Sequence, residues 1–236
     1  MLKFKIFGLA VLLFCSVQGA FAQFNELKYT AGINVGPNRS YTDVKKGGWG
    51  HTFAVDFNYY PLRYLTVGLE GQTGLIQGGN INTDLYNRQF ANRYASLAIT
   101  GKLMVGKLFK VESSEFLYAM RGLYAGVGAG IIKNHMIDIV RYRPSFSDDP
   151  GYGPFPGKDD SYNVVLPFNL GINFYIAESG FVSNFIINVN AQSNITIGEG
   201  LDGYDDPPNK FENKKQDIYN VYSVGIKYII GRYRYY

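Results

Sequence analysis

Leu166-Pro167-Phe168-Asn169-Leu170-Gly171-Ile172-Asn173-Phe174-Tyr175 carries an apolar side chain at every even position and Asn or Gly at 169, 171 and 173. In an extended chain successive side chains point to opposite faces, so this stretch reads as a strand with one greasy and one small, polar face. The same period of two recurs at Leu27–Val35, Phe53–Tyr59, Leu65–Leu69, Leu97–Val105, Leu123–Ile131, Phe185–Ala191 and Tyr222–Ile230. Eight strands are therefore expected, each with roughly the 9–11 residues or more that cross a bilayer at a tilt.

Composition points the same way. The 236 residues include 28 glycines, 20 tyrosines and 17 phenylalanines, and only 18% are charged. A disordered chain would be charged and poor in aromatics. Glycine and aromatics are mediocre to poor helix formers, which excludes a helical bundle. The mean hydropathy is slightly negative, and no second long apolar run follows the N-terminal one, so a helical membrane protein is excluded too.

The N-terminus sets the compartment. Lys3 and Lys5 precede an apolar run, Ile6–Val17, that ends in the small-residue site Ala20-Phe21-Ala22. Residues 1–22 thus read as a cleaved secretory signal peptide, with residues 23–236 as one barrel domain. Phe14 before Cys15, the only cysteine, argues against lipidation, and the mature chain has no thiol for a disulfide or a metal. Lys3 and Lys5 also account for half of the formal charge of +4, and no basic patch remains to suggest nucleic-acid binding.

Links between the strands alternate in length. Pro61–Tyr64 and Ala177–Gly180 are short and Lys107–Phe116 is intermediate, whereas Arg39–Gly50, Gln77–Asn92, Asn134–Ser161 and Ile195–Gln216 are long and polar. Such segregation predicts an all-β fold: an eight-stranded antiparallel up-and-down transmembrane β-barrel with short periplasmic turns and long extracellular loops. Closure follows because an open sheet edge in hydrocarbon leaves backbone polar groups unpaired. The apolar faces then look to lipid, and the Gly, Asn and charged faces fill a lumen too narrow for a wide channel. Tyr59, Tyr60, Tyr64, Phe116, Tyr118, Phe174, Tyr175, Phe181, Tyr228 and Tyr233 are expected near the periplasmic rim as an interfacial girdle.

The motifs Tyr29-Thr30-Ala31-Gly32-Ile33-Asn34-Val35-Gly36, Leu123-Tyr124-Ala125-Gly126-Val127-Gly128-Ala129-Gly130, Leu166–Tyr175 and Val224-Gly225-Ile226-Lys227-Tyr228 resemble the porin-like outer-membrane β-barrel family, the small OmpX- and OmpA-type barrels of Gram-negative envelopes. The resemblance spans 24–236. It implies an integral outer-membrane location, contact with outer-membrane lipid, and recognition of the last strand by the barrel-insertion machinery. The tail Gly231-Arg232-Tyr233-Arg234-Tyr235-Tyr236 is longer and more basic than the family's usual terminal aromatic, so the last strand ends either near Ile230 or at Tyr236.

Four inward charges fall at similar depth: Asp56, Glu70, Lys102 and Lys227. Glu70 and Lys102 lie on adjacent strands and are expected to pair, since a lone charge there would be costly. The set reads either as a charge-balanced interior or as a plug or gate. Arg121 falls on the lipid-facing parity and is expected either to turn inward at a bulge near Gly122 or to snorkel at the rim.

Catalytic groups are sparse. His51 and His135 sit at loop edges, and no Ser follows His135 in the His-x-Ser spacing of outer-membrane lipid A deacylases. No catalytic, cofactor or metal residue is assigned. Asp202, Asp205 and Asp206 offer hard oxygen ligands, but without an Asp-x-Asp-x-Asp-Gly loop they read as solvated charges. The loops supply the remaining specificity, with Tyr142, Phe146, Tyr152, Phe155 and Tyr204 as candidate contacts for an envelope protein or surface glycan. The expected function is a non-enzymatic structural, adhesion or complex-subunit role. A small-solute porin is the alternative, and a lipid-modifying enzyme a distant third.

Overall fold

The computed structural model describes residues 29–44, 46–84, 87–108, 120–142, 155–176, 184–205 and 216–231. The expected signal segment, the rim aromatics Phe116, Tyr118, Phe181 and Tyr233, and the tail after Gly231 lie outside them. All eight expected strands are present: β1 (Tyr29–Tyr41), β2 (Trp49–Leu62), β3 (Leu65–Gly79), β4 (Gln89–Leu103), β5 (Leu123–Ile139), β6 (Asp160–Tyr175), β7 (Phe185–Ile197) and β8 (Ile218–Ile230). Each pairs antiparallel with the next, and β1 closes the ring against β8 from Tyr29↔Ile230 to Tyr41↔Ile218. The last strand thus ends at Ile230, and Gly231 leaves it with a left-handed φ of 75°.

Both ends of the chain's strand order, β1's start and β8's finish, lie at one end of the barrel, with the links 63–64, 104–122 and 176–184. The opposite, loop end carries 42–48, 80–88, 140–159 and 198–217. Link 63–64 is a two-residue turn. The β4–β5 link is longer than Lys107–Phe116, because β4 stops at Leu103 and a single 3-10 turn, Val105–Lys107, follows it.

The outer face of the half nearer the termini is a continuous apolar belt. Ile33, Val55, Leu69, Ile99, Val127, Leu170 and Ile226 all stand exposed on it, Ile99 at 64%. An aliphatic surface that encircles the molecule is far beyond what a water-soluble monomer presents, and it is the face a barrel shows to hydrocarbon. Aromatics bound the belt: Tyr59, Tyr64, Phe174 and Tyr228 below, and Tyr41, Trp49 and Tyr222 above. Tyr60 is a correction to the girdle. Its side chain is buried in the lumen, because it follows Tyr59 and so faces the opposite way. Tyr175 likewise packs on the inner cluster.

The strands run past the belt, and there the polarity of the two faces reverses. On β4 and β5, Arg93, Lys133 and His135 point out, while Phe90, Tyr94, Ile132 and Met136 point in and are buried. On β3 and β8, Thr73, Gln77 and Asn220 point out, and Ile76, Tyr219 and Val221 point in. The loop-end half therefore has the pattern of a barrel in water, with an apolar core and a polar skin. Its core is one cluster of Val44, Ile76, Phe90, Tyr94, Ile132, Met136, Phe155, Val165, Leu201, Tyr204, Tyr219 and Val221. A smaller cluster of Tyr60, Met104, Tyr124, Ile186 and Ile229 seals the termini end.

Candidate functional site

Between the two apolar clusters lies a polar layer that contains all four expected charges. Lys102 Nζ lies 3.5 Å from Glu70 Oε2, the pairing expected from adjacent strands. Lys227 Nζ lies 3.4 Å from Asp56 Oδ1. This second pair joins β2 to β8 across the intervening β1, at Gly32, which is the cross-strand partner of both Asp56 and Lys227. A Cβ on Gly32 would come within 2.6 Å of Lys227 Cγ, and one on Gly126 within 2.7 Å of Lys102 Cγ. Each lysine stem thus lies over a glycine that has no side chain to obstruct it.

Hydrogen bonds complete the layer. Asn34 and Asn58 donate to the Asp56 carboxylate at 2.9 and 2.7 Å. Gln72 and Gln192 both donate to Glu70 Oε1, at 2.9 and 3.0 Å. The Tyr124 ring lies 5.7 Å from Lys102 Nζ and 5.9 Å from Lys227 Nζ, close enough for a cation–π attraction to both. Its hydroxyl donates to Asn190 and accepts from Asn188, both at 3.0 Å. Every charge is buried with its counter-ion and several dipoles, the condition under which a buried ion pair is tolerated. The cavity left among Asn34, Asp56, Glu70, Lys102, Asn190 and Gln192 measures about 10 Å³, room for a single water.

The loop end is capped by the chain itself. Residues 198–205 turn inward over the mouth. Tyr204 donates to the Val140 carbonyl at 2.7 Å and to that of Gln89 at 3.1 Å, and accepts from the Gln89 amide at 3.2 Å. Asn92 donates to the Leu201 carbonyl at 2.8 Å, and Arg141 to that of Gly203 at 3.1 Å. Gly203 has φ 76°, and a Cβ there would meet Met136 Cγ at 2.8 Å, so both its backbone and its space require glycine. Phe155 packs edge-on against Tyr204, ring centroids 6.0 Å apart. Arg88, buried under the cap, holds the Asp84 carboxylate (3.9 Å), the Asp43 carbonyl (3.1 Å) and the Tyr204 ring (5.5 Å).

This placement corrects the expected contact residues. Phe155 and Tyr204 are 1% and 3% exposed and serve as anchors of the cap, because the apolar interior of the loop-end half recruits them. Tyr142 is 70% exposed and remains a candidate contact. Phe146 and Tyr152 lie outside the described residues. The expectation of solvated loop acids is corrected as well. Asp202 and Asp217 are buried, while Asp205 is exposed and Asp206 is not described. Burial, foremost, and the nearby Asp43 raise the Asp202 carboxyl to about 7. Asp217 is raised well above its ordinary range, again by burial and then by Asp202, Glu199 and Asp43.

Of the two histidines, His135 Nδ1 lies 2.8 Å from Asp160 Oδ1 on the exposed outer wall, and no serine, cysteine or threonine contact accompanies that pair among the described residues. Arg121 lies in the link before β5, with its guanidinium 5.3 Å from the Tyr175 ring.

No family model and no curated protein matches the chain. Solved structures do. Neisserial surface protein A matches with 11% identity over 86% of this chain and 97% of its own, at a TM-score of 0.48. The attachment invasion locus protein Ail of Yersinia pestis matches at 12% identity, 87% and 99% coverage, and a TM-score of 0.40. The outer membrane protein OprG of Pseudomonas aeruginosa matches at 11%, 87% and 98%, and 0.38. At these identities the similarity is one of architecture. What the strand pairing itself establishes is that the chain is a closed, eight-stranded, all-antiparallel up-and-down β-barrel.

Proposed function

We propose that the protein is an integral, non-enzymatic barrel of the bacterial outer membrane, exported by its N-terminal segment, that acts through its loop end as a structural, adhesive or complex-forming element. The observation that carries this reading is the filled interior. Two buried ion pairs and an Asn and Gln network fill the middle of the lumen around a cavity for one water, and an inward-folded cap covers the mouth. A solute path would have to break charge pairs that are costly to separate in a low-dielectric site. The loop end, which projects beyond the lipid belt as a water-adapted platform, is the part available to an envelope protein or surface glycan.

Planar-bilayer recording tests the choice between this role and a small-solute channel. The purified, folded barrel is expected to give no steady conductance steps at moderate voltage. Reproducible open channels from the monodisperse protein would overturn the reading in favour of transport.

A further inference from the structure

Three carboxylates from separate parts of the loop end converge: Asp43 from link 42–48, and Glu199 and Asp217 from opposite ends of link 198–217. One oxygen of each lies within 4.8 Å of the others. Clustered acids are common, but one member here is unusual. Asp217 is 1% exposed; its Oδ2 accepts the Leu201 amide at 3.3 Å, and its Oδ1 is buried with no hydrogen-bond donor among the described residues. An orphaned, buried carboxylate oxygen amid two further acids is expensive unless something positive occupies the space in front of it. Arg88 engages Asp84 and the Asp43 carbonyl on the near side of the cluster.

We propose that Asp43, Glu199 and Asp217 form a divalent-cation site, selective for Ca²⁺, that staples the β7–β8 cap to the β1–β2 link. The donors are all hard carboxylate oxygens, the ligands Ca²⁺ takes, with water completing its six to eight positions. Their burial is graded: Asp217 is buried, Asp43 is half-buried and Glu199 is exposed, so an ion enters from solvent past Glu199. Mg²⁺ is disfavoured because it demands near-ideal octahedral geometry, which two separate links do not impose. Asp202 stands beside the site and donates its field to it, while Asp205, a candidate ligand on sequence grounds, is exposed and outside the cluster.

The test is heat unfolding of the full-length folded barrel at pH 8 in EDTA, in 5 mM CaCl₂ and in 5 mM MgCl₂, together with calorimetric titration of CaCl₂. Ca²⁺ is expected to raise the midpoint by about 3–5 °C and Mg²⁺ by less, with a saturable heat of binding. Asp217→Asn is expected to abolish both signals. Glu199→Gln, at an exposed position, is expected to weaken Ca²⁺ binding about tenfold or more while the barrel keeps its folded gel mobility. Absence of a Ca²⁺ shift in the unmodified protein would overturn the proposal and leave a shared proton as the occupant. So would full retention of the shift in both variants.

Discussion

Lys102 and Lys227 each need a carboxylate, a glycine and the face of Tyr124, and none of the three is optional in a lumen this narrow. The pairing with the simplest sequence logic, Glu70 with Lys102, follows from neighbouring strands at matched depth. Asp56 with Lys227 was not legible in that way, because the two strands are not neighbours. The pair skips β1, and only the missing side chain at Gly32 permits it. Removing one partner strands the other as a buried charge, whereas removing both removes the problem. Lys102→Met is therefore expected to cost about 3–5 kcal/mol in urea unfolding followed by Trp49 fluorescence. The double variant Lys102→Met/Glu70→Gln is expected to recover most of that loss. Equal stability of the single and double variants would show that the pair is not the stabilising unit.

At the scale of elements, the period-two reading found every strand but ended most of them too early at the loop end. The reason is the reversal of polarity. A reader who assigns apolar residues to one face loses the strand where apolar residues switch faces, as between Ile131, which points out, and Ile132, which points in. Arg39, Gln77, Asn92 and Asn134 thus read as link residues, yet they lie on strands. The cap was hidden for a related reason. Tyr204 and Phe155 sit among Gly, Pro and Asp, a composition that reads as surface loop, and their burial is decided by partners on β4 and β5 rather than by local sequence. Tyr204→Phe deletes the donor to the Val140 carbonyl and the acceptor of the Gln89 amide, at a cost of about 1–3 kcal/mol. Its expected effect is local. Limited proteolysis should cut link 198–217 faster, while the barrel keeps its folded gel mobility. Unchanged cleavage would mean that the cap is held by its apolar contacts alone.

For the whole molecule, stability should depend on pH through the capped end. Asp202 titrates near 7 when folded, against an ordinary value of 3.8. Between those values the native barrel holds a proton that the unfolded chain has released, so stability falls as pH rises and levels off above about 7. Asp217 is shifted in the same direction, with Asp43 and Glu199 facing it and Arg88 near Asp202. In EDTA, the unfolding midpoint is expected to drop between pH 5 and pH 8, and Asp202→Asn should flatten that slope. A midpoint that rises over this range would contradict the sign.

The interior bonds also span long stretches of chain. Gln192 reaches Glu70 across 122 residues, Tyr204 reaches Gln89 across 115, and Tyr219 reaches Gln72 across 147. The first half of the barrel therefore carries one carboxylate, Asp56, whose lysine is synthesised last, and a mouth whose capping residues also come late. Until β7 and β8 arrive, Glu70 lacks Gln192, Asp56 lacks Lys227, and the mouth has no lid. A chain that stops before β8 has neither the strand that closes the ring against β1 nor the lysine that neutralises Asp56.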